Sequence, residues 1–381
     1  MIRVEVKPEL LGWARERAGM AEAELEHRFP AFSGWVGGTA QPTLKQLDAF
    51  AQATHTPVGF LLLDQPPVEE LPLPDFRTIG DRPVIRPSAD LLDTLYQCQQ
   101  RQDWYREFAR DNLEDAVPLV GTLSRDLELT AAAHRLSQSV PFPTGERGAT
   151  WSDAFARLRD RIDDAGVLVM VSGIVGTNTH RRLNPREFRG FAMVDDLAPL
   201  IFVNGADSKA AQLFTLVHEL VHLAMGGSAL DAPDLAIRVA DGEELWCNQV
   251  AGEFLVPGGA LRKVLDPNAT VADLAQRVAR LFKVSTLVAL RRLFDVGWLE
   301  WVAYHRAYGD ELDRVAHVVD ERGAEGGNFY NTQRVRVGNR LARAVIASTL
   351  EGQTLYRDAF RMLGVRRQAT FDELAHRLGY V

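Results

Sequence analysis

The stretch Phe214-Thr215-Leu216-Val217-His218-Glu219-Leu220-Val221-His222-Leu223 constrains this chain more than any other. Leu216, Val217, Leu220, Val221 and Leu223 make it an apolar helix, and such a helix belongs in a core. Two histidines and a glutamate inside it are costly unless they are paired or bound to a metal. On a helix, residues four apart share a face, about 6 Å apart along the axis. His218 and His222 can therefore present two imidazole nitrogens to one ion at about 2.1 Å. Glu219 stands one residue further round, close to the ion without ligating it. From there it can take a proton from a water whose pKa the ion lowers toward ~7, and return it to a leaving amine.

A zinc ion held in this way needs a third protein ligand, and the downstream candidates are Glu243, Glu244 and Glu253. Residues 243–257 predict a helix stopped by Pro257. Glu244, Asn248 and Ala251 share one of its faces, and Cys247 and Gly252 are small enough for close packing. This favours Glu244 over Glu243, which is turned about 100° away, and leaves Glu253 as second choice. Cys98 and Cys247 are the only cysteines, which excludes a disulfide framework or a four-cysteine zinc site. Cys247 reads as a buried small residue rather than a ligand.

The 381 residues suggest roughly two to four domains. With 46% hydrophobic and 25% charged residues the composition is globular, not disordered. Lys and Arg number 43 against 51 Asp and Glu, a net charge of −8 that argues against a general nucleic-acid binder. No run approaches 18 apolar residues, and the first residues, Met1-Ile2-Arg3-Val4-Glu5-Val6-Lys7, have no apolar core. The expectation is a soluble cytoplasmic protein without membrane contact. Its fold class is α+β: a mainly helical, multidomain chain. Four segments are predicted: a helical front at 1–66, a proline-rich linker and helical spacer at 67–145, the metal-helix domain at 146–300, and a C-terminal domain at 301–381. Within the third, strands are expected at 167–171, 191–194 and 200–203, the last two joined by a turn at Asp195-Asp196.

Residues 8–63 predict four or five short helices. Ala18-Gly19-Met20, then Trp35 with Gly38, then Pro42-Thr43, resemble in order the helix-turn-helix of the Xre/Cro repressor class. A base-reading helix uses Arg, Lys, Asn or Gln, and Ala31-Phe32-Ser33-Gly34-Trp35-Val36 has none. Residues 1–63 hold six basic and seven acidic side chains. Partner docking or dimerisation, giving a homodimer, is thus at least as good a reading as DNA binding.

The metal helix with its flanks goes further. Phe214-Thr215-Leu216 before His-Glu-Leu-Val-His, then Glu244-x-x-Cys247-Asn248-x-x-Ala251 running into Leu255-Val256-Pro257, resembles the ImmA/IrrE family of metallopeptidases. Arg189-Gly190-Phe191 and Ile201-Phe202-Val203-Asn204 match the strands that precede the metal helix there, and the likeness covers about residues 150–300. It implies a gluzincin-type site, with His218, His222 and Glu244 on Zn2+ and Glu219 as general base. It implies a regulatory endopeptidase that cleaves one protein partner, usually a helix-turn-helix repressor. The departure is Cys247, where the family commonly has Ala. Some relatives with a fused Xre-like front resemble antitoxins paired with a PIN-type nuclease toxin, so the zinc domain of this chain is also open to a binding role.

The end of the chain has its own character. Residues 271–299 predict helix, turn, helix, with Ser285 as N-cap and Arg291 and Arg292 on the second helix. Gly326-Gly327-Asn328-Phe329-Tyr330 is a turn. Residues 331–367 hold eight arginines and two acids, against the chain's net −8. Arg334, Arg336, Arg340 and Arg343 are the candidate nucleic-acid or partner contacts. Leu355, Tyr356, Ala359, Phe360 and Leu363 are the expected core of a helical end-piece.

Overall fold

The computed structural model describes residues 3–69, 87–227, 229–231, 242–321 and 335–380. The fold is mixed α+β, mainly helical with one small sheet. It divides into two compact units, one within residues 1–96 and the other within 97–381, apart from a short segment of the linker.

In the first unit, four helices, α1 (Pro8–Arg17), α2 (Glu22–Arg28), α3 (Phe32–Val36) and α4 (Leu44–Ala53), are followed by a 3-10 turn at Val58–Leu62. Thr43 caps α4: its hydroxyl accepts from the Gln46 amide, and the Gln46 side chain bonds back to the Thr43 N–H. Leu10, Leu11, Leu25, Phe32, Trp35, Leu47 and Phe50 are buried together, with Phe32 stacked on Phe50 at 5.6 Å. The two aromatic residues of α3 are thus spent on the core.

The second unit takes in the rest of α5 (Ala89–Asp111), then α6 (Leu129–Ser139) and α7 (Trp151–Asp164). Strands β1 (Leu168–Ser172), β2 (Gly190–Met193), β3 (Leu200–Asn204) and β4 (Ala229–Asp231) form a sheet in the order β1-β3-β2-β4. β1 and β3 are parallel, and β2 pairs antiparallel with both β3 and β4. At the β2–β3 turn Asp195 accepts the amides of Leu197 and Ala198. Every residue of β1, β2 and β3 is buried, so both faces of these strands are covered. Val169, Val171, Ile201 and Val203 join the cluster formed with α7 and α8 (Lys209–Met225), while Met170 on the opposite face of β1 meets Cys98 and Arg101 of α5.

Further described helices follow: α9 (Gly242–Leu255), α10 (Gly258–Arg262), α11 (Val271–Phe282), α12 (Thr286–Asp295), α13 (Trp301–Glu321) and, after Gly338, α14 (Asn339–Leu350). The end is α15 (Tyr356–Leu363) and α16 (Gln368–Arg377). Ser285 caps α12 as expected. Arg147, between α6 and α7, is 1% exposed. Its guanidinium donates to the carbonyls of Leu255 and Phe282, the last residues of α9 and α11, both at 2.7 Å, and to that of Phe142. It therefore satisfies carbonyls that a helix end otherwise leaves open. Burial without an acidic partner pulls its pKa down to about 10.

One expectation for the C-terminal part needs correction. Leu355 and Tyr356 are 64% and 42% exposed: they stand at the start of α15 and only Ala359 and Leu363, with Phe360 partly covered, turn inward. Arg292 of α12 is buried, and Glu253, Asp295 and the Val256 carbonyl take up its guanidinium. The turn expected at 326–330 and most of the linker lie outside the described residues. No described helix is long and apolar enough to cross a membrane.

Candidate metal centre

Helix α8 is held at both ends by local chemistry. The Ser208 hydroxyl accepts the Ala211 amide, and Gly226 ends the helix in the left-handed region, at φ 77°. Twelve of its residues are buried, from Gln212 to Ala224 with one gap at Phe214. His218, Glu219 and His222 are 1%, 0% and 3% exposed. Helix α9 packs across it, with Cys247 and Ala251 fully buried where the two helices meet.

This packing brings three of the expected side chains together. The Nε2 atoms of His218 and His222 lie 3.0 Å apart, and the Glu244 carboxylate reaches them at 3.2 and 3.4 Å. Three donor atoms bound to one ion at about 2.0–2.1 Å in tetrahedral directions would be separated by about 3.3 Å. The three side chains thus already sit at the spacing of ligands on one face of a tetrahedron, and two imidazoles with a carboxylate are a donor set suited to zinc chemistry. Burial opposes ionisation of Glu244, but the hydrogen bonds to His218 and His222 outweigh it and hold the carboxyl well below the usual range. A carboxylate facing two ring nitrogens is charged and ready for a cation.

The other candidates are placed elsewhere. Glu253 pairs with Arg292 and accepts the Gly258 amide, and Glu243 is half-buried outside the cluster. Cys247 Sγ lies 3.9 Å from Nδ1 of His222, the ring nitrogen turned away from the cluster. Burial, reinforced by the charges of Glu244, Glu243 and Glu219, pushes its thiol well above the usual range, so it stays protonated.

Gly190 stands in the matched Arg189-Gly190-Phe191, but its packing role went unread in the sequence. A Cβ placed on Gly190 would come within 2.6 Å of Thr215 Cγ2, 2.8 Å of the Phe202 carbonyl and 3.3 Å of Glu219 Cγ. Strand β2 can approach α8 this closely, beside Glu219, only because residue 190 has no side chain. A glycine inside a strand pattern is the available signal for such an approach.

The arginine candidates do not form one surface. Arg340 is paired with Glu114 at 2.8 Å and its guanidinium lies over the Tyr105 ring at 5.5 Å, so it is engaged within the fold. Arg336 is half-buried, and burial lowers its pKa. Arg343 is exposed, and Arg334 lies outside the described residues.

Comparison with known proteins matches two parts of the chain. Residues 337–377 fit the model of a domain of unknown function (DUF8813). No curated protein and no solved structure matches the chain. Residues 162–294, which carry the sheet, both ligand-bearing helices and the three converging donors, are similar to the IrrE N-terminal-like domain of the M78 peptidases.

Proposed function

We propose that the chain is a regulatory zinc metallo-endopeptidase of gluzincin type that hydrolyses a peptide bond in one protein partner, a repressor or a toxin, in the cytoplasm. The observation that carries this is the convergence, at 3.0–3.4 Å, of Glu244 from α9 with His218 and His222 of α8, the helix that also bears Glu219. These three residues would hold zinc, which supplies Lewis acidity to the scissile carbonyl and acidifies the attacking water. Glu219 takes the proton from that water and returns it to the leaving amine. Its complete burial strengthens each electrostatic interaction it makes.

Metal analysis and a cleavage assay test this together. His218→Ala should lose bound zinc. Glu219→Gln should keep the zinc and lose about 10²–10⁴-fold in cleavage of the partner, the usual contribution of a general base. Zinc retained by His218→Ala would remove the site assignment; full activity in Glu219→Gln would remove the peptidase reading.

A second reading has one observation in its favour. Helix α3, the segment in the place of a base-reading helix, has five residues, buries Phe32 and Trp35, and carries no Arg, Lys, Asn or Gln. This supports an Xre-type regulator or antitoxin whose front unit docks a protein, a second copy or a PIN-type nuclease, rather than DNA. In that case Glu219→Gln keeps the full cellular effect.

A further inference from the structure

Residues 339–377 fold as three helices, and the last two, α15 and α16, are joined by the four-residue turn 364–367. The turn is entered through Gly364 in the left-handed region, at φ 64°. Two helices joined by so short a glycine-bearing turn have the chain pattern of a helix-turn-helix. Its inner side is apolar: Ala359, Met362 and Leu363 face Phe371, Leu374 and Ala375 as buried residues, and the Phe360 and Phe371 rings meet at 5.8 Å.

Its outer side is cationic. Arg357 and Arg361 are exposed one helical turn apart on α15, and Arg366 and Arg367 are exposed in the turn that follows. Asp358 touches Arg357 at 3.5 Å and Arg361 at 3.4 Å. Among the described residues, neither Arg366 nor Arg367 has an acidic side chain at ion-pair distance. Asp358 offsets one of these four positive charges, so the stretch keeps an excess of positive charge that a polyanion complements. A guanidinium fork matches phosphate oxygens two at a time. We propose that this C-terminal helix-turn-helix grips the phosphate backbone of duplex DNA through Arg357, Arg361, Arg366 and Arg367.

The face of α16 itself limits how the DNA is read. Asp372 is exposed there and Glu373 and Arg377 neutralise each other, so α16 offers phosphate no excess of positive charge. Contact therefore runs through α15 and the turn to the backbone, and binding has little base preference. This surface is separate from the metal centre and its assignment does not depend on peptidase activity.

The test is fluorescence anisotropy of the full-length protein with a labelled mixed-sequence duplex of about 25 base pairs. Four phosphate contacts predict a log–log salt slope of about −3.6, or about 10²-fold weaker binding for a fourfold rise in salt. The double variants R357Q/R361Q and R366Q/R367Q should each reduce the slope by about 2 and weaken binding at least tenfold at low salt. Their thermal transitions should match the wild type, because all four side chains are exposed. Absence of duplex binding at low salt would overturn the proposal, as would a quadruple variant that binds like the wild type. Displacement by polyglutamate as effective as by unlabelled duplex, at equal charge, would assign the surface to an acidic protein instead.

Discussion

At the scale of single residues, the grouping of His218, His222 and Glu244 was readable and the residues that support it were not. His218, Glu219 and His222 announce themselves because three polar groups interrupt an apolar helix, and helical spacing alone puts Glu244 ahead of Glu243. Arg147 and Arg340 give no such signal, since the partners that define them lie far along the chain: Leu255 and Phe282 for one, Glu114 for the other. Asp163 is a similar case with a measurable consequence. It is 6% exposed and accepts the Arg340 backbone N–H at 3.1 Å, at the start of α14. Burial pushes its pKa up to about 6, against the opposing pull of that hydrogen bond and of the Arg340 charge. A carboxyl whose folded pKa is raised contributes stability that is complete below its unfolded value near 4 and is lost as pH rises through 6. Asp163→Asn keeps an oxygen for the Arg340 amide and removes the buried charge. The variant should therefore gain on the order of 2–3 kcal/mol over the wild type between pH 4 and pH 7. Urea unfolding across that range reads the difference, and a gap that does not change with pH would contradict it.

At the scale of elements, local rules placed most boundaries. Capping residues Thr43, Ser208 and Ser285, the breaker Pro257 and the Asp195 turn all act within a few residues of themselves, so periodicity and caps reveal them. What the pattern does not reveal is how closely two elements approach. Strand β2 lies against α8 at Gly190, where a methyl group would collide with Thr215 and the Phe202 carbonyl and crowd Glu219. Gly190→Ala must push β2 and α8 apart by a few tenths of an ångström or more. Zinc content should hold, because none of the three donors is in that contact, while cleavage falls by at least tenfold as Glu219 shifts. Parallel metal analysis and kinetics check this; equal activity in the two proteins would show that Glu219 tolerates the displacement.

At the scale of the whole molecule, the net charge of −8 is an average over unlike parts. Within it, the short stretch 357–367 exposes Arg357, Arg361, Arg366 and Arg367 against the single acid Asp358. The region similar to known peptidases is also smaller than the unit that folds. Residues 162–294 exclude Arg147, the Trp151 indole that donates to the Val284 carbonyl, and the segment 117–123 whose amides bond Asp196, Leu223 and Ala224. A fragment of residues 162–294 should show no cooperative thermal transition, whereas one of residues 97–380 should unfold in a single transition; the reverse result would refute this view of the unit.

The buried guanidinium of Arg147 then bears on inheritance as well as on stability. Two helices that follow it in the chain, one of them carrying Glu244, end on its donors. Exchange between genes that carried the metal helices alone would deliver them with open carbonyl ends buried in a core, each costing about 1–3 kcal/mol. The stretch around residue 147 must travel with the site it never touches.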